Sequence, residues 1–225
     1  MSTRVNAYDR ALLRISEELL KMGGLVGGRL ATAIRSLQEQ DAAAAESVLA
    51  TDDEIDQADE HIEMEALRMI SLQPPTDREL RFLAAAMRIS REMERIGDYA
   101  GDISEVTLLL RDKGPYFKPL VDVPRMAEMV RTMLQKALSA YVAKDVAAAR
   151  QMHDDDDPVD DLFRTLHEEL TDVMKQGPDD VDQASNLLLV ARYLERIGDH
   201  IVNIAEMTIF AETGERHPFK GGVRE

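Results

Sequence analysis

The sequence predicts an all-α protein made of two tandem repeats of an antiparallel three-helix bundle. Three observations lead there. Apolar residues recur at helical spacing along nearly the whole chain, and no stretch alternates as a strand would. One pentapeptide, Glu-Arg-Ile-Gly-Asp, occurs twice, at 94–98 and 195–199. The composition is 44% hydrophobic but only 4% aromatic, with no Trp and 12 Met, which suits helix cores filled by Leu, Ile, Val, Ala and Met.

The duplication extends beyond the pentapeptide. Asp41-Ala42-Ala43-Ala44-Ala45 returns as Asp145-Val146-Ala147-Ala148-Ala149, displaced by 104 residues. At the same displacement Asp52-Asp53-Glu54-Ile55-Asp56 falls on Asp156-Asp157-Pro158-Val159-Asp160. The pentapeptide is displaced by 101, so three residues are lost between the blocks, in the loop that carries Pro74-Pro75 in one copy and Gly177-Pro178 in the other. Blocks in the same order at a near-constant displacement are the signature of an internal repeat.

Taken in order, the first copy predicts helices over 6–40, 42–72 and 77–110. Gly23-Gly24 and Gly27-Gly28 interrupt the first of these. Each glycine inside a helix costs about 1 kcal/mol against Ala, so the four imply a compensating need. Their counterparts, Ala127, Glu128, Arg131 and Thr132, show that the fold itself does not require glycine there. A close helix crossing is the favoured explanation, a partner-facing patch the other. Thr76 and Glu79 have capping-box spacing ahead of the third helix. Its apolar stripe is Phe82, Ile89, Met93, Ile96, Ala100 and Ile103. Residues 112–119, with Pro124 beyond, read as a linker. The second copy predicts helices over 120–143, 145–176 and 179–212, with Asp179 as a cap and Leu187, Val190, Leu194, Ile197, Ile201 and Ile204 as the matching stripe. The repeats therefore span 1–112 and 118–213, and 214–225 is a short polar tail expected to fray.

Charge narrows the partners. Asp and Glu number 43 against 27 Lys and Arg, a formal net charge of -16, which disfavours nucleic-acid binding and attracts cations. No apolar run approaches the ~20 residues that span a bilayer, and the N-terminus lacks a secretory core. The absence of cysteine excludes disulfides and thiolate chemistry and fits a reducing compartment. A cytoplasmic protein is expected, reaching the inner face of the membrane only through partners.

Glu94, Asp98 and Asp102 lie one turn apart on one helix face, and the second copy repeats them as Glu195, Asp199 and Asn203. The middle helices add Asp52, Asp53, Asp56, Asp59 and Glu60, matched in part by 154–157, Asp160 and Asp161. Spacing leaves two readings open. Arg91, Arg95, Arg192 and Arg196 can neutralise a solvated face, each pair contributing little. Alternatively, the stripes of neighbouring helices converge on hard or borderline cations, for which oxygen donors without Cys favour magnesium, calcium, manganese or iron over zinc. Gly97 and Gly198 can serve close helix packing in either case. Catalysis finds no support. Three residues before each histidine stand Ala58, Arg150, Arg164, Ile197 and Gly214, so the Glu-x-x-His of di-iron bundles is missing, as are a phosphate loop and His-Glu-x-x-His. His200, opposite Tyr99 in the other copy, reads as a solvated surface histidine rather than a ligand.

Met22-Gly23-Gly24, the run from Asp52 to Asp56, Pro74-Pro75-Thr76 and the doubled Glu-Arg-Ile-Gly-Asp together resemble the PhoU family, over roughly 6–212. The resemblance implies two three-helix bundles side by side and a regulatory role without catalysis. PhoU proteins are negative regulators of the phosphate-starvation response, acting between the ATPase subunit of the phosphate ABC transporter and the sensor histidine kinase. Some PhoU-like proteins hold metal clusters through paired Glu/Asp-x-x-x-Asp motifs. The matching positions are Asp52, Asp56, Glu94 and Asp98 in the first repeat and Asp156, Asp160, Glu195 and Asp199 in the second. The implied ions are iron, manganese or magnesium. Two departures set the sites apart: Asn203 replaces Asp102, and Pro158 replaces Glu54 and should move the start of its helix. The leading expectation is an adaptor regulating phosphate uptake; its rival is a metal-storage or metal-buffering protein. Oligomeric state is left open between monomer and homodimer.

Overall fold

The computed structural model describes residues 2–118, 120–177 and 180–215. Among these, seven helices and no strand are found: α1 Ser2–Glu39, α2 Ala42–Leu49, α3 Asp52–Leu72, α4 Asp77–Leu110, α5 Asp122–Ala143, α6 Val146–Gln176 and α7 Val181–Thr213. Pro119, Pro178, the expected cap Asp179 and most of the expected tail, 216–225 with His217, lie outside the described residues.

The repeated alanine block marks a helix junction. Gln40 and Lys144 take positive φ, 52° and 57°, at the ends of α1 and α5. The following Asp41 and Asp145 N–H groups donate back to the carbonyls of Ser36 and Ala140, at 2.9 Å each, closing a Schellman-type end. The same aspartates then cap the next helix, accepting from the N–H groups of Ala43 and Ala44 and of Ala147 and Ala148. The capping box before α4 forms as its spacing predicts, Glu79 N–H donating to Thr76 Oγ1 at 3.3 Å and Thr76 N–H to Glu79 Oε2 at 2.6 Å.

Two expectations about the middle helices are corrected. The stretch 42–72 is not one helix: it breaks at Ala50-Thr51 into α2 and α3. There Thr51 Oγ1 donates to the carbonyl of Val48, and α3 restarts with Asp52, Asp53 and Glu54 in its first turn. The hydroxyl takes a carbonyl that the helix ladder would use, and acidic residues favour a new N-terminus. Nor does Pro158 start a helix. It lies inside α6, which runs unbroken through the equivalent position. Pro158 and Asp154 are both exposed, so water can hydrate the carbonyl that the missing N–H leaves free.

All the residues of both predicted stripes are buried, and they belong to one continuous core. The long helices α4 and α7 pack on each other across the repeat boundary and α1 packs on α5, while α2 and α3 flank the first repeat and α6 the second. The two bundles thus share their interior. Tyr141 of α5 stacks on Phe82 of α4 with ring centres 5.2 Å apart and donates its hydroxyl to the Phe82 carbonyl at 3.0 Å. The linker is tied down too: Tyr116 donates to the Leu37 carbonyl at 2.6 Å, and Gln183 Nε2 to the carbonyls of Lys113 and Pro115. Burial pushes the Tyr116 hydroxyl up to about 12.

The glycines of α1 divide. A Cβ on Gly23 would lie 2.2 Å from Leu138 Cδ1 of α5, so this one is the close crossing. Gly24, Gly27 and Gly28 have open space around them. At the other end Gly214, φ 78°, closes α7, and Glu215 pairs with Arg150 at 3.1 Å, so the first two residues of the expected tail are held.

Candidate functional site

The pentapeptide glycines place the acidic stripes. A Cβ on Gly97 would lie 2.8 Å from Ile55 Cδ1, and one on Gly198 would lie 2.5 Å from Asp156 Oδ1 and 3.7 Å from Val159 Cγ1. Their absence lets the acidic turns of α3 and α6 seat directly on α4 and α7. Packing is therefore one reason for the repeated motif, and it sets carboxylates of adjacent helices against each other.

In the first cluster Asp52 and Asp56 come from α3, and Glu94, Asp98 and Asp102 from α4. Arg91 lies 3.0 Å from Glu94 and 3.6 Å from Asp59; Arg95 lies 3.2 Å from Asp98 and 3.6 Å from Glu94 Oε2. Glu94 Oε2 is shielded from water and accepts no hydrogen bond. Burial raises the Glu94 carboxyl above its ordinary range, reinforced by Asp98 and Asp56 and opposed by Arg91 and Arg95. Burial raises Asp56 as well, with Asp52, Asp98 and Asp53 adding to it. Asp98 acting on Asp56 across the helix pair is the electrostatic mark of converging stripes. A cavity of about 350 Å³ opens beside them, lined by Asp52, Asp98, Asp102, Glu105 and Arg29 among others.

In the second cluster Asp156 is buried, 2% exposed. Glu195 is paired by Arg192 at 2.7 Å while its Oε2, shielded from water, accepts no hydrogen bond. Arg196 stands 3.9 Å from Asp199. Burial raises both Glu195 and Asp199, and Asp160 of the facing helix adds to each. The four arginines singled out in the sequence are thus all engaged by the stripes they flank. Among the described residues, no group of three or more His, Asp or Glu is drawn together tightly enough to hold a metal ion as it stands. The donor set is nonetheless oxygen-only, and Glu94 Oε2 and Glu195 Oε2 are buried acceptors without donors, which fits a hard cation in chemistry.

Three residues carry more than the sequence suggested. His200 is not a solvated surface residue: its Nδ1 lies 2.7 Å from Glu92 Oε2, which also accepts from Asn203 Nδ2 at 3.0 Å. Asn203, the departure in the second stripe, therefore ties α7 to α4 across the repeats. Arg29, unnoticed in the sequence, is buried on α1 and donates from Nη2 to Asp52 Oδ1 at 2.6 Å. Its one signal was a lone charge between Val26, Leu30 and Ala33 where the second copy has Met133. A larger depression of about 460 Å³, lined by Leu12, Leu13, Phe82 and Val142 among others, shares no residue with the acidic clusters.

The PhoU domain model matches residues 19–107 and again 123–208. A Caulobacter vibrioides protein named phosphate-specific transport system accessory protein PhoU homolog is 34% identical over 211 residues, which cover 94% of this chain and 92% of that one. A Methanothermobacter thermautotrophicus protein named as homolog 1 of the same accessory protein is 35% identical over 213 residues, 95% of this chain and 94% of its own. The crystal structure of PhoU from Pseudomonas aeruginosa superposes with a TM-score of 0.87 at 31% identity, covering 92% of this chain and 100% of that chain. The structure of the phosphate transport system regulatory protein PhoU from Streptococcus pneumoniae gives 0.86 at 26% identity, covering 94% and 99%.

Proposed function

This chain belongs to the PhoU family, and from that premise we propose that it is a non-enzymatic accessory regulator of phosphate uptake. It restrains the phosphate-starvation response by coupling the ATPase subunit of a phosphate ABC transporter to a sensor histidine kinase. One observation carries the reading: likeness along nearly the whole chain to relatives named as accessory proteins of the phosphate-specific transport system. No described helix is long and apolar enough to cross a membrane, which agrees with a protein that works in the cytoplasm and meets the membrane through its partners. Affinity purification of the tagged chain from phosphate-replete cells should bring down the transporter ATPase subunit or the kinase. Recovery of neither under mild cross-linking would refute the coupling role.

The paired motifs supply the second part of the proposal. Asp52, Asp56, Glu94 and Asp98, with Asp156, Asp160, Glu195 and Asp199, are positions at which a divalent or iron-type cation would be held; it would relieve Asp56, Glu94, Glu195 and Asp199, whose carboxyls are raised by burial and by neighbouring carboxylates. A bound ion would clamp α3 to α4 and α6 to α7. The metal-storage alternative draws no support from the geometry, because Arg91, Arg95, Arg192 and Arg196 already neutralise much of each stripe.

A further inference from the structure

We propose that the two acidic clusters are not equivalent toward cations: in the first, the guanidinium of Arg29 is the built-in counter-cation, and a divalent metal ion is taken up by the second alone. The proposal rests on the metal-binding part of the functional reading above.

Arg29 is 7% exposed, on the inward side of α1. Its Nη2 donates to Asp52, while Nε and Nη1 are shielded from water and have no hydrogen-bond partner. Burying a guanidinium with two nitrogens unsatisfied is costly, and an apolar side chain would pack there more cheaply. What offsets the cost is charge. The guanidinium faces the cavity whose wall carries Asp52, Asp98, Asp102 and Glu105. Helix α4 makes room for it: a Cβ on Gly101 would lie 3.3 Å from Nη2.

In the second repeat both partners change together. Displaced by 104, Arg29 becomes Met133; displaced by 101, Gly101 becomes Val202; both replacements are buried. A large residue against glycine has become two of middle size, so volume is kept while the cation is lost. The carboxylates are largely retained: Asp52, Asp98 and Glu105 correspond to Asp156, Asp199 and Glu206. Asp156 and Glu206 are in fact more buried than their counterparts, at 2% and 3% exposed. Leu49, which lines the first cavity, corresponds to His153, whose Nε2 lies 3.6 Å from Glu206 Oε1. Guanidinium cannot shed its proton, so an ion entering the first cluster meets a fixed positive charge. Imidazole carries no obligatory charge and can itself ligate a metal.

The probe is manganese(II), with the free ion followed by electron paramagnetic resonance and the bound ion by elemental analysis after dialysis. Wild-type binding should survive Glu94→Gln/Asp98→Asn within about twofold in affinity and be abolished by Glu195→Gln/Asp199→Asn. Arg29→Met/Gly101→Val, which copies the second repeat, should bind additional manganese that Glu94→Gln/Asp98→Asn removes. Arg29→Gln serves as a second variant should the paired substitution lose its helical circular dichroism. Equal loss of wild-type binding in both carboxylate variants, or unchanged stoichiometry in a folded Arg29 variant, overturns the proposal. Absence of manganese from the wild type and the Arg29 variants alike overturns it together with the metal part of the functional reading. The adaptor role, tested by co-purification with the ATPase subunit, would be untouched by that result.

Discussion

Identical pentapeptides should respond differently to the same substitution. Replacing Gly97 or Gly198 by Ala gains about 1 kcal/mol of helix propensity, since both lie well inside long helices. The opposing term differs. At Gly97 the new methyl meets Ile55 Cδ1 at 2.8 Å and Cγ2 at 3.3 Å; the terminal Cδ1 can rotate away, and Cγ2 must give by only a few tenths of an ångström. The propensity gain and a mild overpacking cost of about 1 kcal/mol then nearly cancel. At Gly198 the methyl meets Asp156 Oδ1 at 2.5 Å, and that carboxylate is short, polar and almost fully buried. Moving it costs packing and polar contacts together, about 2–4 kcal/mol, for a net loss of about 1–3 kcal/mol. Urea unfolding followed by circular dichroism at 222 nm measures both variants. With m of about 2 kcal/mol/M for a chain of this size, the Gly198 midpoint should fall by about 0.5–1.5 M while the Gly97 midpoint barely moves. Equal midpoints would refute the claim that Gly198 exists to admit the Asp156 side chain.

A second glycine pair separates crossing from open surface: Gly28→Ala should stabilise by up to about 1 kcal/mol, whereas at Gly23 that gain should be offset because the buried Leu138 must change rotamer to clear the new methyl, and thermal melts should rank Gly28→Ala above Gly23→Ala. Thr76→Ala removes the acceptor of the capping box and should lower stability by about 1 kcal/mol, read as earlier hydrogen exchange in the first turn of α4. The pH response follows from the raised carboxyls. A carboxyl whose folded value lies above its unfolded one holds protons more tightly when folded, so it costs stability above the folded value and nothing below the unfolded one. Glu195→Gln should therefore stabilise the chain at neutral pH, with the gain shrinking to nothing as pH falls below the ordinary Glu value of 4.5; a gain that grew on acidification would contradict the raised state.

The periodicity of α4 and α7 and the displaced blocks make the architecture readable in the residues themselves, because long amphipathic stripes and repeats are properties of one chain segment at a time. The capping box was readable for the same reason. The α2/α3 break was not: it turns on a single hydroxyl competing for a carbonyl, and nearby Asp residues suit either a helix interior surface or a new start. Pro158 misled because its tolerance inside α6 depends on which face meets water. The alanine blocks revealed the repeat without their purpose, since a left-handed Gln40 or Lys144 is not foreshadowed by residue type. Within the clusters, the flanking arginines were legible as i,i+3 partners. Arg29 and the Glu92–His200–Asn203 link were not, because each joins different helices, and only the packing of α1 on α3 and of α4 on α7 brings the partners together.

The regulatory role is tested most directly in the cell of origin, by deleting the coding sequence and following a phosphate-starvation reporter while phosphate is abundant. Loss of restraint is predicted: the reporter should be fully on at high phosphate and return to its low level when the wild-type chain is restored. A reporter that stays silent at high phosphate in the deletion strain would contradict a negative regulator coupled to phosphate uptake.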